Sequence, residues 1–188
     1  ADMSLRQLSK AILPHFKTGQ QNVLNLISTD SANGKSYLAQ ELENYWISIG
    51  LQVRRLTYDE DFLADDSKFI MSSSIKDLCP DILPDEIAIV EYPNLNDHSI
   101  PSSLLNMGTV NLMVTRANRT WKDIDQKALK EVQSQLDDQN TLFMYLTESS
   151  RYAVEEFVGQ LPPYTRFSNF VYRISQLGLT ATENSHAS

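Results

Sequence analysis

The sequence has one cysteine, Cys79, among its 188 residues. A single cysteine excludes an intramolecular disulfide and a cysteine metal cluster, which is typical of a reducing compartment. The 3 histidines lie in separate segments without a His-x-x-x-His or Glu-x-x-His pattern, so a zinc site is not expected. The sequence also lacks a Gly-x-Ser-x-Gly motif, and an α/β-hydrolase would therefore have no nucleophile.

Long apolar runs and basic clusters are also missing. No run approaches the ~20 residues of a membrane-spanning helix, and the first residues do not resemble a signal peptide. The formal net charge is −8, so repulsion from a phosphate backbone argues against nucleic-acid binding. The length and the hydrophobic content of 41% predict one globular domain, at 1–180, followed by a disordered tail at 181–188.

Apolar runs alternate with amphipathic segments along most of this predicted domain. The predicted strands are 22–28, 51–57, 86–93, 110–115 and 140–147. The predicted helices are a first one that ends at Pro14, 36–49, a short one within 58–84, 99–107 and 123–136. The two longest carry apolar stripes, formed by Leu38, Leu42, Trp46 and Ile49 and by Ile124, Ala128, Val132 and Leu136. This order predicts an α/β fold with a mostly parallel sheet flanked by helices in a three-layer architecture.

The turn between the first predicted strand and the next helix carries a phosphate-binding pattern. Residues 29–36 read TDSANGKS, which matches G-x-x-x-x-G-K-[ST] except that Thr29 replaces the first glycine. In such a loop, backbone N–H groups and a helix N-terminus bind phosphates, the lysine reaches the β- and γ-phosphates, and the serine ligates Mg²⁺. The residues expected to contact a nucleotide are Asn33, Gly34, Lys35, Ser36 and Tyr37.

Two residues of this loop weaken the expectation. The Cβ of Thr29 restricts a turn that glycine eases, and Asp30 adds a carboxylate near the expected anion. The alternative is an ordinary strand–loop–helix connection in which Gly-Lys-Ser occurs by chance.

Carboxylates at strand ends are the second requirement of a Mg-nucleotide site. Glu91 ends the third predicted strand, and Asp59 follows the second. Both are candidate catalytic residues and, together with Ser36, candidate magnesium ligands. The alternatives are a solvated strand end for Glu91 and part of an acidic loop for Asp59.

Several segments together resemble a known protein family. They are VLNLISTDSANGKSYLAQELENYWISIGLQVRRLTYDED, EIAIVEYPNL, VNLMVTRANRT and the closing LTESSRYAVEEFVGQLPPYTRFSNFVYRISQLG. They are similar to the cytoplasmic domain of bacterial polysaccharide co-polymerases, which are related to bacterial tyrosine kinases. The resemblance implies a MinD-like P-loop fold and covers nearly the whole chain.

The chain departs from the family pattern where the chemistry is expected. The second-strand motif of the family has two aspartates, and here those positions are Thr57 and Asp59. Glu91 stands at the Walker B aspartate position. Kinases of the family have a tyrosine-rich tail, whereas no tyrosine follows Tyr172. Of the ring-forming Glu-x-x-Arg-x-x-Arg motif, whose positions are Met3, Arg6 and Ser9, only Arg6 is kept.

These losses favour a pseudokinase-like domain over an active protein-tyrosine kinase. The resemblance implies a regulatory or interaction domain of an exopolysaccharide chain-length or export protein. It would be a soluble piece at the cytoplasmic face of the bacterial inner membrane, joined to upstream transmembrane segments. Self-association and other export components are the expected partners, and binding of Mg-ATP or Mg-ADP is expected to be weak or lost.

Two other readings stay open. The first is an active autophosphorylating tyrosine kinase or MinD-like ATPase, with Tyr164 or Tyr172 as an acceptor. The second is an unrelated α/β domain without a ligand.

Overall fold

The computed structural model describes residues 3–58, 66–117 and 119–147. Asp59, both candidate acceptor tyrosines, the predicted tail and the closing segment of the family resemblance after Thr147 lie outside the described residues. The strands, numbered in chain order, are β1 (Asn22–Ile27), β2 (Val53–Thr57), β3 (Ile87–Glu91), β4 (Val110–Arg116) and β5 (Leu142–Thr147). The helices are α1 (Met3–Ile12), α2 (Lys35–Ser48), α3 (Asp66–Met71), α4 (Ile75–Leu78), α5 (Ser102–Met107) and α6 (Asp123–Gln135).

The strands form one sheet in the order β2-β3-β1-β4-β5, and every pair in it is parallel. The predicted α/β fold with a parallel sheet is therefore confirmed. β1 lies at the centre between β3 and β4. The chain leaves β1 towards β2 and leaves β4 towards β5, so the carboxyl ends of β1 and β4 border the crevice where open α/β sheets bind ligands.

Helices cover both faces of the sheet. α1 and α2 pack on one face, where alternate residues of β3 such as Ile87 and Ile89 point. The other helices, α3 to α6, pack on the opposite face with Ala88 and Val90 of the same strand. Burial from both sides explains why β3 is an uninterrupted apolar run up to Glu91.

The apolar stripes of the two longest helices are mostly as predicted. Trp46 has no exposed surface, which confirms its place in the core. The prediction is wrong for Ile49 and Ile124, which are 49% and 49% exposed. Ile49 lies after the last residue of α2, where the backbone leaves the helix and the stripe ends. In the first turn of α6, the buried residue is Asp125 instead of Ile124.

The sequence predicts one short helix between β2 and β3, and the described residues of this segment form two, α3 and α4. The second starts with a capping box, in which Ser74 and Asp77 each bond to the backbone of the other. Within the described ranges, no helix is long and apolar enough to cross a membrane.

Candidate functional site

The loop from Thr29 to Gly34 joins the central strand β1 to α2. It contains a short 3-10 turn, Ser31–Asn33, and then Gly34 with a φ of 77°. Glycine reaches this left-handed conformation without the steric penalty of a Cβ. Among the described residues no side chain caps α2, whose N-terminus carries the positive end of the helix dipole.

Lys35 lies across the ends of β1 and β3. It is only 9% exposed, and its Nζ donates to Ser28 Oγ at 3.2 Å and to the carbonyl oxygen of Tyr92. The ammonium group of this first residue of α2 thereby adds a positive charge near the N-terminus of the helix. The next two residues, Ser36 and Tyr37, are exposed at the start of the helix.

The loop is tied to the last strand through Asn33. Thr147 of β5 donates from its hydroxyl to the carbonyl oxygen of Asn33 at 3.1 Å. The Asn33 side chain is 1% exposed, and within the described part of the chain neither its Oδ1 nor its Nδ2 has a hydrogen-bond partner. A buried amide without partners is rare in folded proteins, so Asn33 is an unsatisfied polar group inside the loop.

Thr29 and Asp30, the two residues that seemed unfavourable for phosphate binding, both contact Arg119 from the loop after β4. Arg119 donates to Thr29 Oγ1 at 3.3 Å, and its guanidinium lies 3.7 Å from Asp30 Oδ2. Asp30 is therefore charge-compensated by Arg119. Thr29 supplies a hydroxyl that a glycine in the same place would lack.

Arg119 is itself fixed by Asp125, in the first turn of α6. Its terminal nitrogen lies 2.9 Å from each oxygen of that carboxylate, and Asp125 has no exposed surface. Burial raises the pKa of Asp125, but hydrogen bonds from Lys122 N–H, Thr29 and Asn96 and the charge of Arg119 outweigh burial and hold the pKa below its usual range. A buried, ionised carboxylate therefore links the phosphate loop to α6.

Glu91 ends β3 as predicted, and its carboxylate forms an ion pair with Arg55 of β2. The Arg55 guanidinium is 3.0 Å from Glu91 Oε1 and 3.0 Å from Glu43 Oε2 of α2. Glu91 is 4% exposed. The parallel register sets Thr57 beside Glu91 and Arg55 beside Ile89, so Arg55 is the diagonal neighbour of Glu91 on the same face.

The described donors do not fit a magnesium ion in this arrangement. Mg²⁺ is usually bound through one or two carboxylates together with phosphates and waters, and one oxygen of the Glu91 carboxylate is already paired with Arg55. Within the described ranges, no group of three or more His, Cys, Asp or Glu side chains could hold a metal. The predicted set of Ser36, Asp59 and Glu91 stays a prediction, because Asp59 lies outside the described residues.

The structure thus gathers the predicted nucleotide contacts, Asn33 to Tyr37, at one end of the sheet, next to the strand that ends in Glu91. The sequence analysis missed Arg55, Arg119 and Asp125. Arg55 has one readable signal, because an arginine two residues before the end of a strand lies on the same face as that end. The pairing of Arg119 with Asp125 has no signal in the sequence, because it depends on how the loop after β4 folds.

Comparisons with known proteins give the fold. No protein-family profile and no curated protein matches the sequence. Solved structures do match, among them the kinase domain of the Escherichia coli tyrosine kinase ETK. Its TM-score is 0.54 at 9% sequence identity, and the match covers 78% of this chain and 76% of that chain. At such an identity the likeness shows the fold alone, a P-loop fold of the bacterial tyrosine-kinase kind.

Proposed function

We propose that this chain is a tyrosine-kinase-like P-loop domain with a regulatory or interaction role and with weak or no ATP binding. The observation that carries the proposal is the ion pair between Arg55 and Glu91, 3.0 Å apart. Phosphoryl transfer depends on metal and positioned charges around the phosphates. Because Arg55 pairs with the carboxylate at the Walker B position, that carboxylate is not available to hold the metal.

The biological setting that we propose comes from the family resemblance. The domain would lie at the cytoplasmic face of the bacterial inner membrane, as part of a protein that sets exopolysaccharide chain length or supports export. Its partners would be further copies of itself and other export components. Upstream transmembrane segments would join it to the membrane.

A binding titration and a phosphorylation assay test the proposal together. Calorimetry with Mg-ATP and Mg-ADP should give dissociation constants weaker than about 1 µM, and Lys35→Ala should remove any residual signal because it deletes the ammonium group at the α2 N-terminus. A phosphotyrosine blot after incubation with Mg-ATP should be blank. Sub-micromolar binding combined with ATP-dependent tyrosine phosphorylation would overturn the proposal.

A second candidate function is an active autophosphorylating kinase or MinD-like ATPase. It is favoured by the position of Lys35 beside the uncapped N-terminus of α2, an arrangement able to bind an anion. Its acceptors would be Tyr164 or Tyr172, which lie outside the described residues. The same blot separates the two candidates, because only the active enzyme labels itself.

A further inference from the structure

We propose that the α2 N-terminus binds a phosphate-bearing nucleotide without magnesium, because Arg55 already neutralises Glu91, the carboxylate at the Walker B position. This inference rests on the weak nucleotide binding proposed above and names the form of the ligand, a metal-free nucleotide such as ADP. It follows from the disagreement between the residues at this end of the sheet and the metal that the fold implies.

The first step of the argument is the charge around Glu91. In a magnesium site, a divalent cation compensates the carboxylate at the end of this strand. Here the guanidinium of Arg55 does so at 3.0 Å, and it simultaneously holds Glu43 at 3.0 Å. Because Arg55 joins β2 to both α2 and β3, it is part of the packing between these elements as well as a counter-charge.

The second step is the cost of replacing Arg55. Glu91 is 4% exposed and the Arg55 side chain is 29% exposed, so the pair is largely shielded from water. Separating two partly buried opposite charges is unfavourable, since each must find a new partner in a low-dielectric setting. Binding of magnesium at Glu91 would have to offset the free energy of breaking this ion pair. The ion would also need octahedral coordination from the ligands that remain.

The third step is the other carboxylates that contact the loop. Asp30 and Asp125 both lie against Arg119, at 3.7 Å and 2.9 Å. Each of these acidic groups therefore already has a cationic partner. An anion at the α2 N-terminus would lie near Lys35 and the positive end of the helix dipole, and would not need a divalent cation to screen these carboxylates.

Calorimetric titration of the wild-type protein with ADP, once in excess EDTA and once in MgCl₂, tests the inference. We expect the two dissociation constants to agree within about twofold, because no described carboxylate needs magnesium. Arg55→Gln removes the cation and frees Glu91, so ADP binding should become at least about tenfold tighter in MgCl₂ than in EDTA. Arg55→Lys, which keeps the charge, should retain the wild-type behaviour.

Arg54→Gln is the matched control. Arg54 is the preceding residue on β2, points to the opposite face and also bridges two carboxylates, Asp81 at 3.2 Å and Glu86 at 3.3 Å. The Arg54→Gln variant should lose comparable ion pairs with two carboxylates, and its dissociation constants for ADP should be unchanged. Circular dichroism of each variant establishes that it is folded, and the wild-type comparison of EDTA with MgCl₂ needs no variant.

Two results would overturn the inference. One is wild-type ADP binding that magnesium strengthens by about tenfold or more, and the other is the absence of ADP binding in both buffers. The second result leaves the proposed regulatory function intact. Tight Mg-dependent binding with autophosphorylation overturns both proposals, so their failures can be told apart.

Discussion

Asp125 has no exposed surface, and a buried carboxylate persists only where charges and hydrogen bonds surround it. Here the environment consists of the Arg119 guanidinium, the Lys122 N–H and the Thr29 hydroxyl. The threonine that stands in place of the first glycine of the motif is thus part of a network. What reads as a loss in the sequence is, in the structure, a contact between the phosphate loop and α6.

Replacing Asp125 tests how much this contact contributes to the stability of the protein. Asp125→Asn leaves Arg119 without its buried counter-charge, and we expect the free energy of unfolding to fall by about 3 kcal/mol. Denaturant unfolding measures the change. Asp123→Asn, an exposed residue in the same helical turn, should stay within about 0.5 kcal/mol of the wild type. Equal stabilities for the two variants would contradict this account.

The pH dependence of stability follows from the lowered pKa of Asp125. A carboxyl whose pKa is lower in the folded state stabilises the protein above its unfolded pKa, near 3.8, and loses that contribution as the pH falls through the folded pKa. The stability difference between wild type and Asp125→Asn should therefore be full at pH 6 and shrink below about pH 4. Thermal melts of both proteins across this range measure it, and a difference that grows on acidification would contradict the sign.

At the residue scale, the sequence suggests candidate residues for a nucleotide site but does not identify the side chains that contact them. Lys35 is predictable from a local sequence motif, and Glu91 is predictable from the end of an apolar strand. Each of these signals lies within a single segment of the chain. The partners of Thr29 and Glu91 come from elements that are distant in the sequence, 90 and 36 positions away. Register and loop conformation bring them together, and neither can be read from a single sequence.

Among the elements, α1 and α2 are joined by a buried hydroxyl. Ser9, which the resemblance sets at the second arginine of a ring motif, is 2% exposed. Its Oγ accepts a hydrogen bond from Trp46 Nε1 at 2.9 Å and donates to the Leu5 carbonyl at 2.9 Å. An arginine there would be buried between two helices, so this position serves helix packing and not a surface contact.

Removing this hydroxyl should loosen the contact between the two helices. Ser9→Ala leaves the indole N–H of Trp46 buried without an acceptor, and we expect about 1 kcal/mol of stability to be lost. Denaturant unfolding followed by tryptophan fluorescence measures the change. Arg6→Ser, an exposed residue of the same helix, is the matched control and should be neutral. A neutral Ser9→Ala would show that the hydrogen bond adds no stability.

The order and type of the major elements were predictable because the inner strands β1, β3 and β4 are mostly apolar and buried on both faces, and each long helix has an apolar stripe. Their ends were less predictable. Ile49 and Ile124 continue a helical spacing in the sequence, yet both are 49% exposed. A stripe stops where the helix leaves the sheet, and that point depends on strand length and on the turn that follows.

For the whole molecule, a P-loop architecture is combined with arginines at the places where a nucleotide and its metal would act. The arrangement is similar to that of a phosphate-binding site in its parallel sheet, the left-handed Gly34 and Lys35. Arg55 and Arg119 neutralise the acidic groups around it. A chain with a net charge of −8 thus has Lys35, Arg55 and Arg119 at one end of its sheet.

A crystal structure of the protein soaked with Mg-ADP tests this account most directly. We predict that Arg55 keeps its contact with Glu91 at about 3 Å and that no metal density joins Ser36 to Glu91, whether or not ADP lies at the α2 N-terminus. A magnesium ion bound by Ser36 and Glu91, with Arg55 displaced from the carboxylate, would contradict it.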